Sequence, residues 1–344
     1  MTFRSHPRGH QMTRTLPERV PARTARVSVP SAGMVLAVAS ALAFSVSGPI
    51  AKPLLEGGWS LAGVLAIRMG VAGLVLSPAL LRTLLRRRDF LREHGVSLVA
   101  FGLIPVVGCQ VFYFSALQRM PVGVALLIQY LAPVMLVLFV WARTRRAPSR
   151  IVVVGSIVAM IGLVLVVDVS GARFDLPGTA FALLAAVCAC VYFVMSERAG
   201  DDLPPLALAA GGLLVGTVTI LALAAVGVLP LTASAAPVDL VGMTVPPLVP
   251  LALVGLCTAA GYALGIMAVP RIGSRLASFV GLSEVLFALT LAWLLLGEAP
   301  AAVQFAGGAL ILAGVILVRI EERAPADVSS PAEPLPGEVA PGTR

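Results

Sequence analysis

A succession of ten apolar runs constrains this chain most, each of roughly 20 residues, the length that carries a helix across a hydrocarbon core about 30 Å thick. They fall at about 32–53, 60–81, 96–117, 121–141, 150–169, 177–196, 204–228, 247–268, 276–296 and 301–319. Inside lipid every backbone N–H and C=O needs an internal partner, and a helix supplies all of them within one segment. The charges obey the same division. They are clumped in the first thirty residues, in Arg82 to Arg92, in Arg143 to Arg150, in Glu197 to Asp202 and after Arg319. Charged residues make up 12% of the 344 and apolar residues 58%, with a mean hydropathy of +0.97. A soluble domain carries about 25% charged residues, so this chain lacks the charge to cover a water-soluble body of its size. The fold class read from this pattern is all-α integral membrane, with ten transmembrane helices.

Turn signals separate the runs: Glu56-Gly57-Gly58, Met120-Pro121, Ser170-Gly171, Leu203-Pro204-Pro205, Pro246-Pro247 and Ala299-Pro300. Prolines at 121, 177, 204, 247 and 300 stand at expected helix starts, where the missing N–H costs nothing. The first run is too long for a signal-peptide core and reads as an uncleaved helix. Residues 1–31, rich in Arg and Pro, and 320–344, rich in Pro, Ala and Glu, read as disordered cytoplasmic tails. With the N-terminus inside, the inner segments hold Arg82, Arg86, Arg87, Arg88, Arg92, Arg143, Arg145, Arg146, Arg150, Arg198, Arg271, Arg275, Arg319 and Arg323. The outer loops hold only Arg119 and Arg173, so the positive-inside bias puts both termini in the cytoplasm of a bacterial cell membrane.

The net charge of +8 belongs to that bias and not to a nucleic-acid footprint, because the arginines flank apolar spans and line no polar face. Cys109, Cys188, Cys190 and Cys257 all fall within spans, and the three histidines (His6, His10, His94) lie outside them. The spans therefore offer neither a metal cluster nor the paired acids or histidines of an intramembrane enzyme. No cofactor, metal or enzymatic activity is expected. A channel is disfavoured because no ring of like charges lines a span. The expected partners are the lipid bilayer and a small-molecule substrate, with oligomeric state, a homodimer included, left open.

The chain repeats itself. Ala125, Trp141, Gly155 and Gly162 match Ala277, Trp293, Gly307 and Gly314, all at an offset of 152. Leu36-Ala37 matches Leu184-Ala185 and Phe44 matches Tyr192, at an offset of 148. Two units follow, 32–169 and 177–319, of five spans each. An odd number of spans makes the second unit enter the membrane from the opposite side, an inverted-topology repeat of the kind that places a transport site at the repeat interface.

With these motifs the sequence resembles the drug/metabolite transporter superfamily, in its EamA-type branch, over about residues 32 to 320. The resemblance is carried by Gly48-Pro49-Ile50-Ala51-Lys52, by Pro121-Val122-Gly123-Val124-Ala125, by Ala132-Pro133, and by Leu282-Ser283-Glu284 with Leu295-Leu296-Gly297-Glu298 before a glycine-rich last span. Within the branch it is most similar to the threonine/homoserine exporters. The resemblance implies a ten-helix basket with a central cavity, exporting an amino acid or related metabolite by alternating access, with drug or amine efflux as the alternative for the same fold. A non-transporting scaffold is the weaker alternative. Two positions depart from the pattern: Arg143-Thr144-Arg145-Arg146 stands where the second repeat has Gly297-Glu298, and Gln129 stands where those exporters would carry a carboxylate.

Charged residues within spans cost about 2.5–3.5 kcal/mol each on insertion scales, and the few present are the site candidates. Glu284 is the one carboxylate near midplane depth, suited to hold an ammonium or carry a proton. Arg68, at similar depth in span two, suits a substrate carboxylate through its planar fork of donors. Gln129 and Tyr130 offer uncharged hydrogen bonds in the middle of span four, competing with a role as interhelical glue. Lys52, between Gly48-Pro49 and Pro53, predicts an interruption of span one near its outer end, with snorkelling to the headgroups as the rival role. Glu298 before Pro300 reads as a helix cap, Gly307, Gly308 and Gly314 as close-packing positions, and Trp141 and Trp293 as interfacial anchors.

Overall fold

The computed structural model describes residues 30–323 except 118, 120, 121, 146, 167–174, 201, 241 and 297–300; a few helical side chains, Lys52 among them, are also outside the described set. The tails before residue 30 and after 323, Arg173 and the Glu298–Pro300 cap lie outside the described residues. The elements in order are α1 (Pro30–Glu56), α2 (Leu61–Arg86), α3 (Phe90–Phe101), a π-helical stretch (Gly102–Gly108), α4 (Cys109–Leu117), α5 (Val122–Gln129), α6 (Ala132–Thr144), α7 (Arg150–Val166), α8 (Leu176–Glu197) and α9 (Pro205–Ala225). There follow β1 (Val238–Leu240), β2 (Met243–Val245), α10 (Leu248–Ile272), α11 (Ser274–Gly281), α12 (Ser283–Leu296) and α13 (Ala302–Arg323).

Among the described residues, eight helices are long and apolar enough to cross a membrane, and α7 is a shorter apolar helix. They carry exposed Val35, Leu74, Leu85, Ile157 and Ile316. Apolar side chains on that scale have no place against water. The protein is a multi-pass integral membrane protein. The helix starts follow local chemistry. Ser60 caps α2 by accepting from the Gly63 N–H at 3.2 Å, and Asp175 caps α8 by accepting from Gly178 N–H at 2.8 Å. Pro204 and Pro205 open α9, and Pro247 precedes α10.

Four expectations need correction. Span one is not interrupted: α1 runs helically through Pro49 and Pro53 to Glu56, as prolines in membrane helices are tolerated when neighbours satisfy the freed carbonyls. Spans four and nine are instead broken, at Tyr130–Leu131 between α5 and α6 and at Leu282 between α11 and α12. Pro133 explains the first break, since it lacks the N–H that would bond the Gln129 carbonyl one turn earlier. Nor is the fold wholly helical. Between α9 and α10, β1 and β2 form an antiparallel hairpin around Gly242, whose φ of +76° suits glycine. Finally, α13 continues to Arg323 and does not stop at 319.

Packing is pairwise: α1 against α10 and α12, α8 against α4, α5 and α6, α2 against α9, and α7 against α13. The α7–α13 contact rests on glycine. A β-carbon at Gly162 would stand 2.5 Å from the Gly307 carbonyl oxygen, and one at Gly314 would stand 2.6 Å from that of Gly155. Gly307 and Gly314 thus permit the close approach read from the sequence, while Gly308 faces Leu286 of α12. One core gathers around Met69, Phe101, Leu213 and Ile266, another around Leu163, Phe279, Ile311 and Val318. The hairpin segment is tied to the α1–α2 turn: Thr232 N–H donates to Ser60 Oγ at 2.8 Å, and Ser60 N–H donates to the Thr232 carbonyl at 3.0 Å.

Candidate functional site

A cavity of about 410 Å³ opens inside the bundle, walled by α1, α2, α4, α8, α10, α11 and the two helix breaks; among the described residues none of α7 or α13 lines it. Its size falls in the range of small-molecule sites, about 300–1,000 Å³. Small residues make the room. Ser40 Oγ donates to the Gly261 carbonyl at 2.7 Å, and a β-carbon at Gly265 would stand 2.6 Å from the Tyr192 hydroxyl and 2.8 Å from Ser40 Oγ.

Four of the five side chains singled out from the sequence meet here: Arg68, Gln129, Tyr130 and Glu284. Arg68 reaches in from α2, and its Nε is buried without a hydrogen-bond partner. Glu284 stands in the first turn of α12, just past the Leu282 break, where the positive end of a helix favours a carboxylate. They are the only charged residues lining the cavity among the described residues. They are close enough to attract each other, yet no direct ion pair joins them among the described residues. Gln129 ends α5, and its amide donates to Cys109 Sγ at 3.3 Å. Tyr130 sits in the first break itself. The fifth residue, Lys52, is not among the lining residues, and its side chain is outside the described set.

Sequence reading missed the aromatic lining. Tyr113, Tyr192 and Tyr262 join Tyr130, so all four tyrosines of the chain border this cavity. Phe44 and Tyr192 meet Tyr262 edge-on, with centroids 5.2 and 6.0 Å away and ring planes at 81° and 80°. The missed signal was a hydroxyl: tyrosine in hydrocarbon calls for a polar partner, whereas phenylalanine does not. Among the described residues no group of three or more His, Cys, Asp or Glu is placed to hold a metal. The arrangement offers a cation, an anion, neutral hydrogen-bonding groups and aromatic faces in one cavity. Such a lining suits a small molecule bearing both charges.

The EamA-like transporter family profile matches residues 31–168 and 176–320. The threonine/homoserine exporter RhtA of Escherichia coli (strain K12) is 29% identical over 278 residues, covering 77% of this chain and 88% of the relative. The threonine/homoserine exporter RhtA of Salmonella typhimurium (strain LT2) is 29% identical over 253 residues, covering 73% and 79%. A solved crystal structure shares the fold with a TM-score of 0.68 at 21% identity, over 85% of this chain and 98% of that one.

Proposed function

The chain belongs to the EamA-like transporter family, and from that premise we propose that it exports small zwitterionic metabolites, amino acids of the threonine and homoserine kind foremost. The observation that carries this reading is Arg68 and Glu284 facing one cavity without a direct ion pair. An α-amino acid supplies the missing counter-charges: its carboxylate suits the guanidinium fork and its ammonium suits the carboxylate. Gln129 and the tyrosine hydroxyls are left for the substrate side chain.

The proposed machine is a ten-span carrier made of two inverted five-helix repeats, 32–169 and 177–319, working by alternating access. Crosswise contacts support it. The sequence offset relates Gly155 to Gly307 and Gly162 to Gly314, while the close approaches pair Gly155 with Gly314 and Gly162 with Gly307, as a two-fold axis between the repeats requires. Likewise α1 packs on α10 as α8 packs on α4, and the breaks at Tyr130 and Leu282 are 152 residues apart. The arginine bias supports both termini inside. Glu284 is the proposed proton carrier of the cycle.

Reconstitution in liposomes with labelled threonine and homoserine, with and without a pH gradient, tests the reading. Saturable flux with wild type and its loss in Arg68→Gln are expected; no flux of any zwitterion would sink it. The aromatic lining favours a second reading, export of amines with an apolar body, held by cation–π contact. Competition of such amines against threonine flux separates the two.

A further inference from the structure

A second cavity, of about 380 Å³, lies apart from the first at the arginine-rich end of the bundle. It is bordered by α6, the start of α11, the end of α13 and the loop from α6 to α7. Its wall changes character along α6. Val137, Val140 and Trp141 line it at the apolar level, and Thr144 ends it about 10 Å further along by helical rise. Beside that wall, Leu138 and Phe139 are 51% and 48% exposed and face lipid, so the lower part of the cavity borders the hydrocarbon. Trp141, 46% exposed, marks the headgroup level, where aromatic belts sit.

Among the described residues, the polar end holds Arg275 and Glu321. Arg275 enters from the first turn of α11 and Glu321 from the last turns of α13. Thr144 spends its hydroxyl proton on the Val140 carbonyl at 2.8 Å. Ser149 Oγ accepts from Val152 N–H at 3.3 Å, which leaves its own O–H to donate into the cavity. An Arg fork and a serine hydroxyl recognise phosphate oxygens. A purely anionic ligand would meet the Glu321 carboxylate as a like charge, and a trimethylammonium has no N–H to give it.

We propose that this cavity seats the headgroup of a membrane lipid bearing both a phosphate and a primary ammonium, with the phosphate on Arg275 and Ser149, the ammonium on Glu321, and the upper acyl chain along Val137, Val140 and Trp141. The site joins the ends of α6, α11 and α13, so an occupied headgroup ties the helix that follows the first break to the helix that precedes the second.

The test uses the purified full chain, delipidated in detergent and offered phosphatidylethanolamine, phosphatidylcholine or phosphatidylglycerol with identical acyl chains. Retention is read by native mass spectrometry and stabilisation by Tm. Phosphatidylethanolamine is expected to bind about tenfold tighter than the other two, the margin of one charge-assisted hydrogen bond. Glu321→Gln should erase its advantage over phosphatidylcholine, and Arg275→Gln should weaken all three. If Arg275→Gln fails to fold, Glu321→Gln decides alone. Glycerophosphoethanolamine, which has no tails, should leave Tm unchanged; a Tm rise equal to that of the lipid would make this a soluble phosphate site and overturn the proposal. Equal binding of the three lipids, a preference for phosphatidylglycerol, or undiminished selectivity in Glu321→Gln would overturn it as well.

Discussion

Arg68 and Glu284 line one cavity from α2 and α12, near enough to attract each other, and leave a gap that no direct ion pair closes among the described residues. In the proposed function each meets substrate and its opposite charge at once.

Substitution of either should weaken substrate binding strongly. Loss of one member of a buried charge pair costs about 2–5 kcal/mol, so Arg68→Gln and Glu284→Gln should each raise KM roughly 30-fold or more. Flux in liposomes at a range of substrate concentrations measures this. Glu284→Gln should also abolish flux driven by a pH gradient while the protein stays folded and expressed. Wild-type coupling in a well-expressed Gln variant would end the proton-carrier assignment.

The arginine bias makes a topological prediction. In a background with Cys109, Cys188, Cys190 and Cys257 replaced by serine, Asp239→Cys on β1 should react with an impermeant maleimide added outside intact cells. Arg88→Cys, in the exposed turn after α2, should react only after permeabilisation. The reverse pattern would invert the orientation.

Gly162 should tolerate no side chain. Its β-carbon would stand 2.5 Å from the Gly307 carbonyl oxygen and 2.7 Å from the Ile311 nitrogen, both backbone atoms that cannot swing aside. Gly162→Ala should cost about 1–3 kcal/mol, the scale of overpacking, and lower Tm in detergent. Gly95 has nothing within 4 Å of an added β-carbon, so Gly95→Ala in α3 is the control expected to be neutral or stabilising.

Ser60 serves two elements, capping α2 and accepting from Thr232 in the loop that carries the hairpin. Ser60→Ala should remove both interactions at a cost of about 1 kcal/mol or somewhat more. Limited proteolysis or amide exchange should then report earlier opening of residues 226–240, with the transmembrane helices unaffected.

The apolar runs announced the spans because hydrocarbon permits so few backbone solutions, and the lone intramembrane charges announced Arg68 and Glu284 because each needs a reason to be there. The breaks were less visible. Pro133 signals the one after Gln129, but Leu282 is followed by Ser283 and Glu284, with no proline to mark the place. Pro49 and Pro53 pointed the other way, to an interruption in α1 that does not occur. Proline alone is ambiguous in a membrane helix, since neighbouring helices decide whether the freed carbonyl finds a partner. The lining tyrosines looked like ordinary span residues, because helical spacing does not say which face meets the cavity.

The confinement of every tyrosine to the cavity has a spectroscopic consequence. The three tryptophans, Trp59, Trp141 and Trp293, are absent from its lining. Tyrosine is thus a chromophore with one address in this protein. Ultraviolet resonance Raman, or fluorine label introduced as fluorotyrosine, reads the occupied and empty cavity directly, without engineering a reporter. Four resonances distributed over α4, the α5–α6 break, α8 and α10 give four independent views of the same event, and any of them that stays still on ligand addition identifies a wall that does not move.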